Sequence, residues 1–123
     1  MSVYVLLQGA TATNGPFSPS SPPASPSLVV KPTGPNHSPN INPTQQTVQG
    51  IVTGTGSVSA TIKVMGSNDG GVTWVDAVAT VTISSGTGVS TAGSTSNLSY
   101  AYYTAYLSAV SGTNATVQAL MGC

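Results

Sequence analysis

The sequence predicts an all-β protein: an antiparallel β-sandwich of jelly-roll or immunoglobulin-like type, preceded by an extended, proline-rich N-terminal arm. The first observation is that all nine prolines lie between Pro16 and Pro43. The second is that the chain from Gln46 onward consists of short apolar segments separated by turns rich in glycine, asparagine and serine, which is typical of strands. No window has the apolar period and the capping residues of a helix. We therefore expect an arm over residues 1–45 and a β-sandwich domain over residues 46–123.

The arm should be extended because proline fixes its own φ, lacks an N–H donor and favours an extended conformation in the residue before it. Two apolar runs, residues 2–8 and 28–31, interrupt its polar sequence. Each run could add a strand to the open sheet edge of another subunit, where main-chain hydrogen bonds supply affinity. We therefore expect the arm to contact neighbouring chains and to make few contacts with its own domain. The residues predicted at that interface are Val3, Val5, Leu7, Leu28, Val29 and Val30.

Strict alternation of apolar and polar residues predicts a strand from Val58 to Val64, with Ile62 on its apolar face. Further strands are predicted over residues 72–76, 78–83, 98–107 and 115–120. Turns are predicted over residues 54–56, 68–71, 84–88, 93–96 and 111–114, where glycine, serine and asparagine cluster. Short strands with regular turns indicate a sandwich or jelly roll, and about 80 residues can just enclose one core between two sheets.

Tyrosines are concentrated in the fourth of these predicted strands. Tyr100, Tyr102 and Tyr106 share one face of that strand, whereas Tyr103 lies on the other face with Leu107. One face must belong to the core. The other could stack on a sugar or, in keeping with the enrichment of tyrosine at interfaces, contact another subunit. The three tyrosines on one face therefore join the predicted interface residues.

Charged residues make up only 3% of the chain, against about 25% in an ordinary soluble domain. They are Lys31, Lys63, Asp69 and Asp76, and the formal net charge is zero. Such a chain has no basic surface for a phosphate backbone and no polybasic membrane patch, and its apolar start is too short to span a bilayer. We therefore expect neither a nucleic acid nor a membrane as partner. Near-zero net charge promotes association, which favours a homo-oligomer.

The residues needed for catalysis or metal binding are largely absent. His37, the single histidine, lies in the arm, so a Ser-His-Asp or Cys-His arrangement cannot be assembled. Asp69 and Asp76 could be neighbours across a hairpin, but a glycosidase pair would also need a raised pKa and a sugar cleft. No phosphate-binding loop or zinc ligand set is present, and Cys123, the only cysteine, cannot form an intramolecular disulfide. We predict no enzymatic activity, no catalytic residue, no metal and no cofactor.

One motif is well defined. The segment Ser67-Asn-Asp-Gly-Gly-Val-Thr-Trp74 resembles the Asp-box pattern Ser-x-Asp-x-Gly-x-Thr-Trp, a hairpin-turn device found in several β folds. Asp69 can accept hydrogen bonds from the backbone of its own turn, and glycine supplies the positive φ of a tight turn. The predicted turn residues are Ser67, Asp69, Gly70, Gly71, Thr73 and Trp74. The alternative to a stabilised turn is a role for Asp69 in catalysis or metal binding.

Residues 47–64, 66–74 and 105–117 resemble small β-sandwich structural proteins of tailed bacteriophages. The resemblance implies a non-enzymatic virion protein on the particle surface, of the capsid decoration (cement) or minor head type. Its implied partners are the major capsid protein and copies of itself, held together by the arm and the sandwich. Two alternatives stay open: a carbohydrate-binding module or tail adhesin that uses exposed tyrosines, and a tail-tube or connector component.

Overall fold

The structure is a computed structural model that describes residues 3–32, 46–96 and 100–122. The described residues form four strands and no helix. The strands are β1 (Val3–Ala10), β2 (Gln46–Ser67), β3 (Val75–Ser96) and β4 (Tyr102–Gly122). They form one antiparallel sheet in the order β1-β4-β2-β3. The predicted all-β class is confirmed, whereas a jelly-roll or immunoglobulin-like topology stays a prediction.

The strands are much longer than the sequence predicts. β2 and β3 have 22 residues each and β4 has 21. Of the five predicted turns, only the one at residues 68–71 connects two strands; the other four lie inside β2, β3 or β4. The prediction of short strands was wrong at those four places. The reason is that glycine in a strand can bend the chain at a bulge without ending the pairing.

The sheet folds over on itself. A Cβ atom added at Gly50 would lie 2.7 Å from Ile62 Cδ1, although both residues belong to β2. In a straight strand these residues would be about 40 Å apart. The same added atom would lie 2.9 Å from Ile83 Cδ1 in β3. Two half-sheets therefore face each other. The first half-sheet comprises β1 and residues 46–53, 89–96 and 115–122. The second half-sheet comprises residues 57–67, 75–87 and 102–111.

The bend between the half-sheets, which we term the corner, coincides with residues of positive φ on all three long strands. Gly56 in β2, Gly88 in β3 and Gly112 in β4 have φ values of 75°, 78° and 129°, and Asn114 has φ 55°. The pairing register of β2 shifts at the same level, between residues 53 and 59. Glycine adopts positive φ without steric cost, and asparagine tolerates it. The three strands can therefore bend together.

One hydrophobic core lies between the two half-sheets, and all four strands contribute to it. Alternation along β2 places Ile62 and Val64 on this inner face, as predicted, and Lys63 on the outer face. The fully buried side chains of the core include Leu6, Leu7, Val52, Val58, Ile62, Val81, Leu107, Val117 and Met121. Because each long strand crosses the corner, both layers of the core belong to the same three strands.

The first part of the predicted arm is an integral strand of the sheet. β1 pairs with β4, from Val3 opposite Gly122 to Ala10 opposite Val117. Leu7 is fully buried in the core and is not available to another subunit. The expectation of few contacts with the arm's own domain was therefore wrong here. The apolar run does add a strand to an open sheet edge, as its sequence suggests, but the edge belongs to its own chain.

The proline-rich segment, residues 11–32, covers the edge of β4 that β1 does not reach. Asn14 Oδ1 accepts from the Leu107 backbone N–H at 2.8 Å. Val30 and Tyr103 exchange two backbone hydrogen bonds of 2.8 and 2.9 Å. The Ser27 hydroxyl donates to the carbonyl oxygen of Ala105. This part of the predicted arm was thus also misjudged, because residues between the prolines still donate and accept along a strand edge. His37 and Cys123 lie outside the described residues, as does the predicted boundary at residue 45.

The position of β1 can be tested with two substitutions in that strand. Leu7→Ala removes a fully buried side chain and should lower the free energy of unfolding by about 2–5 kcal/mol. Val3→Ala is the matched control, because Val3 is 64% exposed and should change stability little. Urea unfolding followed by tryptophan fluorescence measures both. Equal effects of the two substitutions would contradict the assignment of β1 to the sheet.

The folding-over of the sheet can be tested at Gly50. Gly50→Ala places a methyl group against Ile62 and Ile83 and should destabilise the protein by about 1–3 kcal/mol, because the core has no room for it. Gly93→Ala is the control, since its added Cβ would meet only the Val48 carbonyl oxygen, at an ordinary 3.5 Å. Thermal melts compare the two variants. A flat sheet would tolerate both substitutions alike.

Candidate functional site

A second, smaller cluster of buried residues lies on the outer face of the second half-sheet. It consists of Met65, Trp74 and Tyr106, with Phe17 and Tyr102 packed against it. The proline-rich segment covers this cluster. A Cβ atom at Gly15 would lie 3.1 Å from two carbon atoms of the Tyr106 ring. The outer face is therefore a packed surface, and the candidate functional groups lie around it.

The Ser67–Trp74 turn joins β2 to β3 beside this cluster, and a chain of side-chain hydrogen bonds holds it. The Ser67 hydroxyl donates to Asp69 Oδ1 at 2.7 Å, and Asp69 Oδ1 also accepts from the Thr73 backbone N–H at 2.9 Å. Asp69 Oδ2 accepts from the Thr73 hydroxyl. Trp74 closes the turn by donating its indole N–H to the Gly71 carbonyl at 3.0 Å. The predicted hydrogen bonding of Asp69 to the turn backbone is confirmed at the Thr73 N–H.

Two glycines allow this turn to close tightly. Gly70 and Gly71 have φ values of 77° and 85°. The Gly71 backbone N–H donates to the Ser67 hydroxyl at 3.1 Å. Asn68 attaches the turn to the start of β4, because its Oδ1 atom accepts from the Ala101 backbone N–H at 2.9 Å. The turn is thus tied to the residue that precedes β4.

The hydrogen bonds to Asp69 lower its pKa from 3.8 to about 2. The Thr73 hydroxyl contributes most, followed by the Thr73 backbone N–H and the Ser67 hydroxyl. Both carboxylate oxygens are therefore used inside the turn, which favours the stabilised-turn interpretation over a role in catalysis or metal binding. The described part of the chain contains no group of three His, Cys, Asp or Glu residues placed to hold a metal ion. Membership of the Asp-box class stays a resemblance.

A cleft of about 550 Å³ opens between the proline-rich segment and the outer face of the second half-sheet. Its walls combine charged, hydroxyl and aromatic groups: Thr13, Gly15, Pro16, Phe17, Lys63, Asp76, Tyr106 and Ser108. Lys63 in β2 pairs with Tyr106 in β4, so both side chains lie on the outer face. The cleft therefore holds one of the two lysines and one of the two aspartates of the chain.

A hydrogen bond links two of these groups across the sheet. The Tyr106 hydroxyl donates to Asp76 Oδ1 at 3.0 Å. Burial, the hydrogen bond to Asp76 and the negative charge of that carboxylate together raise the pKa of Tyr106 to about 12, and burial contributes most. Tyr106 therefore stays protonated and holds the Asp76 carboxylate against the outer face of the sheet.

A bulge in β3 determines where the Asp76 side chain points. Gly66 pairs with Val75, and Val64 pairs with Ala79, so three residues of β3 stand opposite one residue of β2. Within that bulge Ala77 has φ 51°, a left-handed conformation that is unfavourable for alanine. Bulges commonly redirect a side chain next to a functional site. Asp76 is the first residue of this bulge, which places it at the cleft.

The predicted tyrosine face is confirmed in part. Tyr102 and Tyr106 lie on the outer face, and Tyr103 lies in the core with Leu107. Tyr100 was assigned to the wrong face: it precedes β4 and packs against the main core, with its ring 6.2 Å from Tyr103 in an edge-to-face arrangement. The register argument fails for Tyr100 because alternation applies only within a strand. Tyr106 is buried beneath the proline-rich segment and does not present an open surface.

The other predicted interface residues differ in exposure. Val3, Leu28 and Val29 are exposed, whereas Val5 and Val30 are half-buried and Leu7 is buried. Three further valines that the sequence analysis did not single out are also exposed: Val72, Val75 and Val89. Val75 and Val89 lie on β3, the strand at the end of the sheet. Exposed apolar side chains are thus found at both ends of the sheet.

The sequence analysis missed the cleft. Lys63 was noted only as one of four charges, and Asp76 only as a charge and a possible neighbour of Asp69. Nothing in the sequence shows that β2 pairs with β4 in the register that places Lys63 beside Tyr106. The glycosidase arrangement considered for Asp69 and Asp76 is not formed, since each carboxylate has its own hydrogen-bond donors. Among the described residues no helix is long and apolar enough to cross a membrane.

The low pKa of Asp69 predicts how the turn responds to acid. A carboxylate whose pKa is lower in the folded protein stabilises the fold at pH values above its ordinary pKa and loses this effect as the pH falls. Wild-type protein should therefore be more stable than Asp69→Asn at pH 7, and the difference should shrink as the pH falls from about 4 to about 2. Thermal melts across this range measure it. A difference independent of pH would rule out the charged turn as its cause.

Comparisons of the chain with protein-family models, with curated proteins and with solved structures gave no match. The turn and the cleft are therefore assigned from their own residues and geometry. The resemblance to small β-sandwich proteins of bacteriophage particles stays a prediction.

Proposed function

We propose that the protein is a non-enzymatic structural protein of a bacteriophage particle, of the capsid decoration (cement) or minor head type. In this proposal it lies on the particle surface and contacts the major capsid protein and copies of itself. The observation that carries the proposal is the outer edge of β3. This edge is long and almost uncharged, which suits a strand that is covered by another chain.

β3 is the last strand of the sheet, and among the described residues only β2 pairs with it. Its 22 residues correspond to about 70 Å of strand. Proteins normally protect such an edge with lysine, proline, β-bulges, a covering loop or a short length. β3 has bulges near its start and at the corner, but residues 89–96 pair with β2 without a register shift. β3 contains no lysine, arginine or proline, and Asp76 is its single charged residue. Left uncovered, the edge would promote uncontrolled aggregation, so an ordered partner is the better explanation for it.

The opposite side of the sheet supports this reasoning by contrast. β1 covers one part of the β4 edge, and the proline-rich segment covers the other. Because residues 3–32 pair largely within their own chain, we propose that they are not the main contact with the neighbouring subunits that the sequence predicts. In the revised proposal the contacts with neighbouring subunits form mainly at β3 rather than through an arm.

The composition is consistent with permanent association. With 3% charged residues and zero formal net charge, copies of the chain do not repel one another. A protein repeated at symmetry-related positions of a shell meets the same neighbours at every site, so one open edge can be covered in every copy. We also propose that the two facing half-sheets correspond to the predicted β-sandwich, formed here by one folded sheet; its jelly-roll or immunoglobulin-like topology stays open.

The proposal is tested by adding a charge to the β3 edge. Val89→Lys alters an exposed valine on β3, and Val72→Lys alters an exposed valine in the turn outside it. Phage particles that lack the protein are mixed with each purified variant and sedimented. Wild-type protein and Val72→Lys should sediment with the particles, whereas Val89→Lys should bind at least about tenfold more weakly, a loss of about 1.4 kcal/mol.

Two outcomes would contradict the proposal. If wild-type protein does not sediment with the particles, the virion function is wrong. If Val89→Lys sediments as well as the wild type, the particle is bound through another surface, and β3 is not the contact. Far-ultraviolet circular dichroism of both variants shows that the sheet is intact.

A further inference from the structure

The cleft beside Tyr106 has the features of a ligand site that particle assembly does not require. It lies on the outer face of the second half-sheet, between the proline-rich segment and β2, β3 and β4. Its volume of about 550 Å³ falls within the usual range for small-molecule sites. In a chain with two lysines and two aspartates, one of each lines this single cleft. The presence of both charges in one cleft suggests that they bind a ligand.

We propose that the cleft binds a neutral saccharide. One face of the sugar ring packs on Phe17, while adjacent hydroxyl groups donate to Asp76 and accept from Lys63. Phe17 is the only phenylalanine of the chain and borders the cleft next to Pro16. A pyranose ring has apolar C–H faces and a rim of hydroxyls, so it matches a site with an aromatic wall and a few polar groups.

Asp76 is prepared to accept hydrogen bonds from a ligand. Tyr106 donates to its Oδ1 atom, and no described residue donates to its Oδ2 atom. The hydrogen bond fixes the carboxylate in one orientation before a ligand arrives, which reduces the entropy lost on binding. The bulge at Ala77 keeps Asp76 on this face at the cost of an unfavourable backbone conformation. A role in packing alone would require neither the hydrogen bond from Tyr106 nor the unfavourable backbone conformation at Ala77.

Lys63 supplies the complementary donors. It is half-buried at the cleft, and within the described ranges its side chain forms neither a hydrogen bond nor an ion pair. Its ammonium group has three donors and no acceptor, so a sugar hydroxyl or ring oxygen can accept from it. The hydroxyls of Thr13 and Ser108 also line the cleft and can donate or accept. The site thus offers both kinds of partner that a hydroxyl-rich ligand needs.

The balance of charge favours a neutral ligand. Lys63 and Asp76 carry opposite charges, so an anion would face the carboxylate and a cation would face the ammonium group. A zwitterion could pair with both groups, but it would have to lose hydration at both of its charges, and this desolvation cost is poorly compensated. A hydroxyl avoids both penalties because it can donate to one group and accept from the other. We therefore place a neutral sugar ahead of a zwitterionic amino acid.

The experiment is a titration of the ¹⁵N-labelled full chain with D-glucose, D-galactose and N-acetyl-D-glucosamine, followed by two-dimensional NMR. Glycine serves as the zwitterionic probe. At least one sugar should shift the amide signals of Lys63, Asp76 and Ser108 in a saturable manner, while glycine should not. Because this map uses wild-type protein, it does not depend on any variant folding correctly.

Two variants then test the assigned contacts. Lys63→Met should weaken binding of that sugar by about tenfold or more. Lys31→Met is the matched control and should leave binding unchanged, because Lys31 lies outside the cleft, with its Nζ atom 5.8 Å from the centre of the Tyr102 ring. Asp76→Asn keeps an acceptor for Tyr106 but removes the charge, and it should weaken binding as Lys63→Met does.

Several results would overturn the inference. These are no saturable shift with any of the three sugars, shifts confined to another surface, binding of glycine instead of a sugar, or full affinity in Lys63→Met. The proposed virion function is tested separately by particle sedimentation. Lys63→Met should still sediment with particles, so loss of the sugar site and loss of particle binding can be told apart.

Discussion

The shared bend of three strands is the constraint on which the rest of the structure depends. β2, β3 and β4 each run through both half-sheets, so the core closes only if all three turn at the same level. Residues of positive φ at the corner make this possible. The bend then determines where space is lacking: Gly50 has no side chain because Ile62 of the same strand occupies that position. It also produces an inner face that is largely apolar and an outer face on which polar groups can be placed.

The outer edge of β4 presents a second requirement that follows from the first. A strand of 21 residues needs partners along its whole length, and β1 has only 8. The proline-rich segment completes the edge, although its prolines cannot donate. It does so through residues that lie between the prolines, because Val30 exchanges two backbone hydrogen bonds with Tyr103, and Asn14 Oδ1 accepts from the Leu107 backbone N–H. The prolines keep their carbonyl acceptors, and the Pro19 oxygen accepts from the Trp74 backbone N–H at 2.8 Å. The same segment forms one wall of the cleft, so closing the sheet edge and shaping the candidate site are achieved by one stretch of chain.

The local features of this protein could be predicted from the sequence, and the long-range ones could not. Alternation gave the inner face of β2 around Ile62, and residue types gave the hydrogen bonds of the Asp69 turn, because both depend on neighbours in the chain. Glycines at the corner were misread as turns, since glycine favours a bend and a chain reversal equally. The pairing of β1 was misjudged because its apolar residues fit any open sheet edge. The sequence does not show whether that edge belongs to another subunit or, as in the structure, to β4 of the same chain. The cleft depends on the register of Lys63 with Tyr106 and on the bulge that contains Asp76, neither of which has a signal in a single sequence.

The passage of every long strand through both layers has a consequence for how the protein folds. In a fold made of two separate sheets, one sheet can open while the other keeps its pairing. Here the two layers share their strands, so loss of strand pairing in one half-sheet also disrupts the corner and the pairing in the other half-sheet. The molecule should therefore behave as one cooperative unit, without a stable half-folded state. Its contacts also join distant parts of the chain, such as Val3 with Gly122, and such topologies fold slowly because long loops must close before their contacts form.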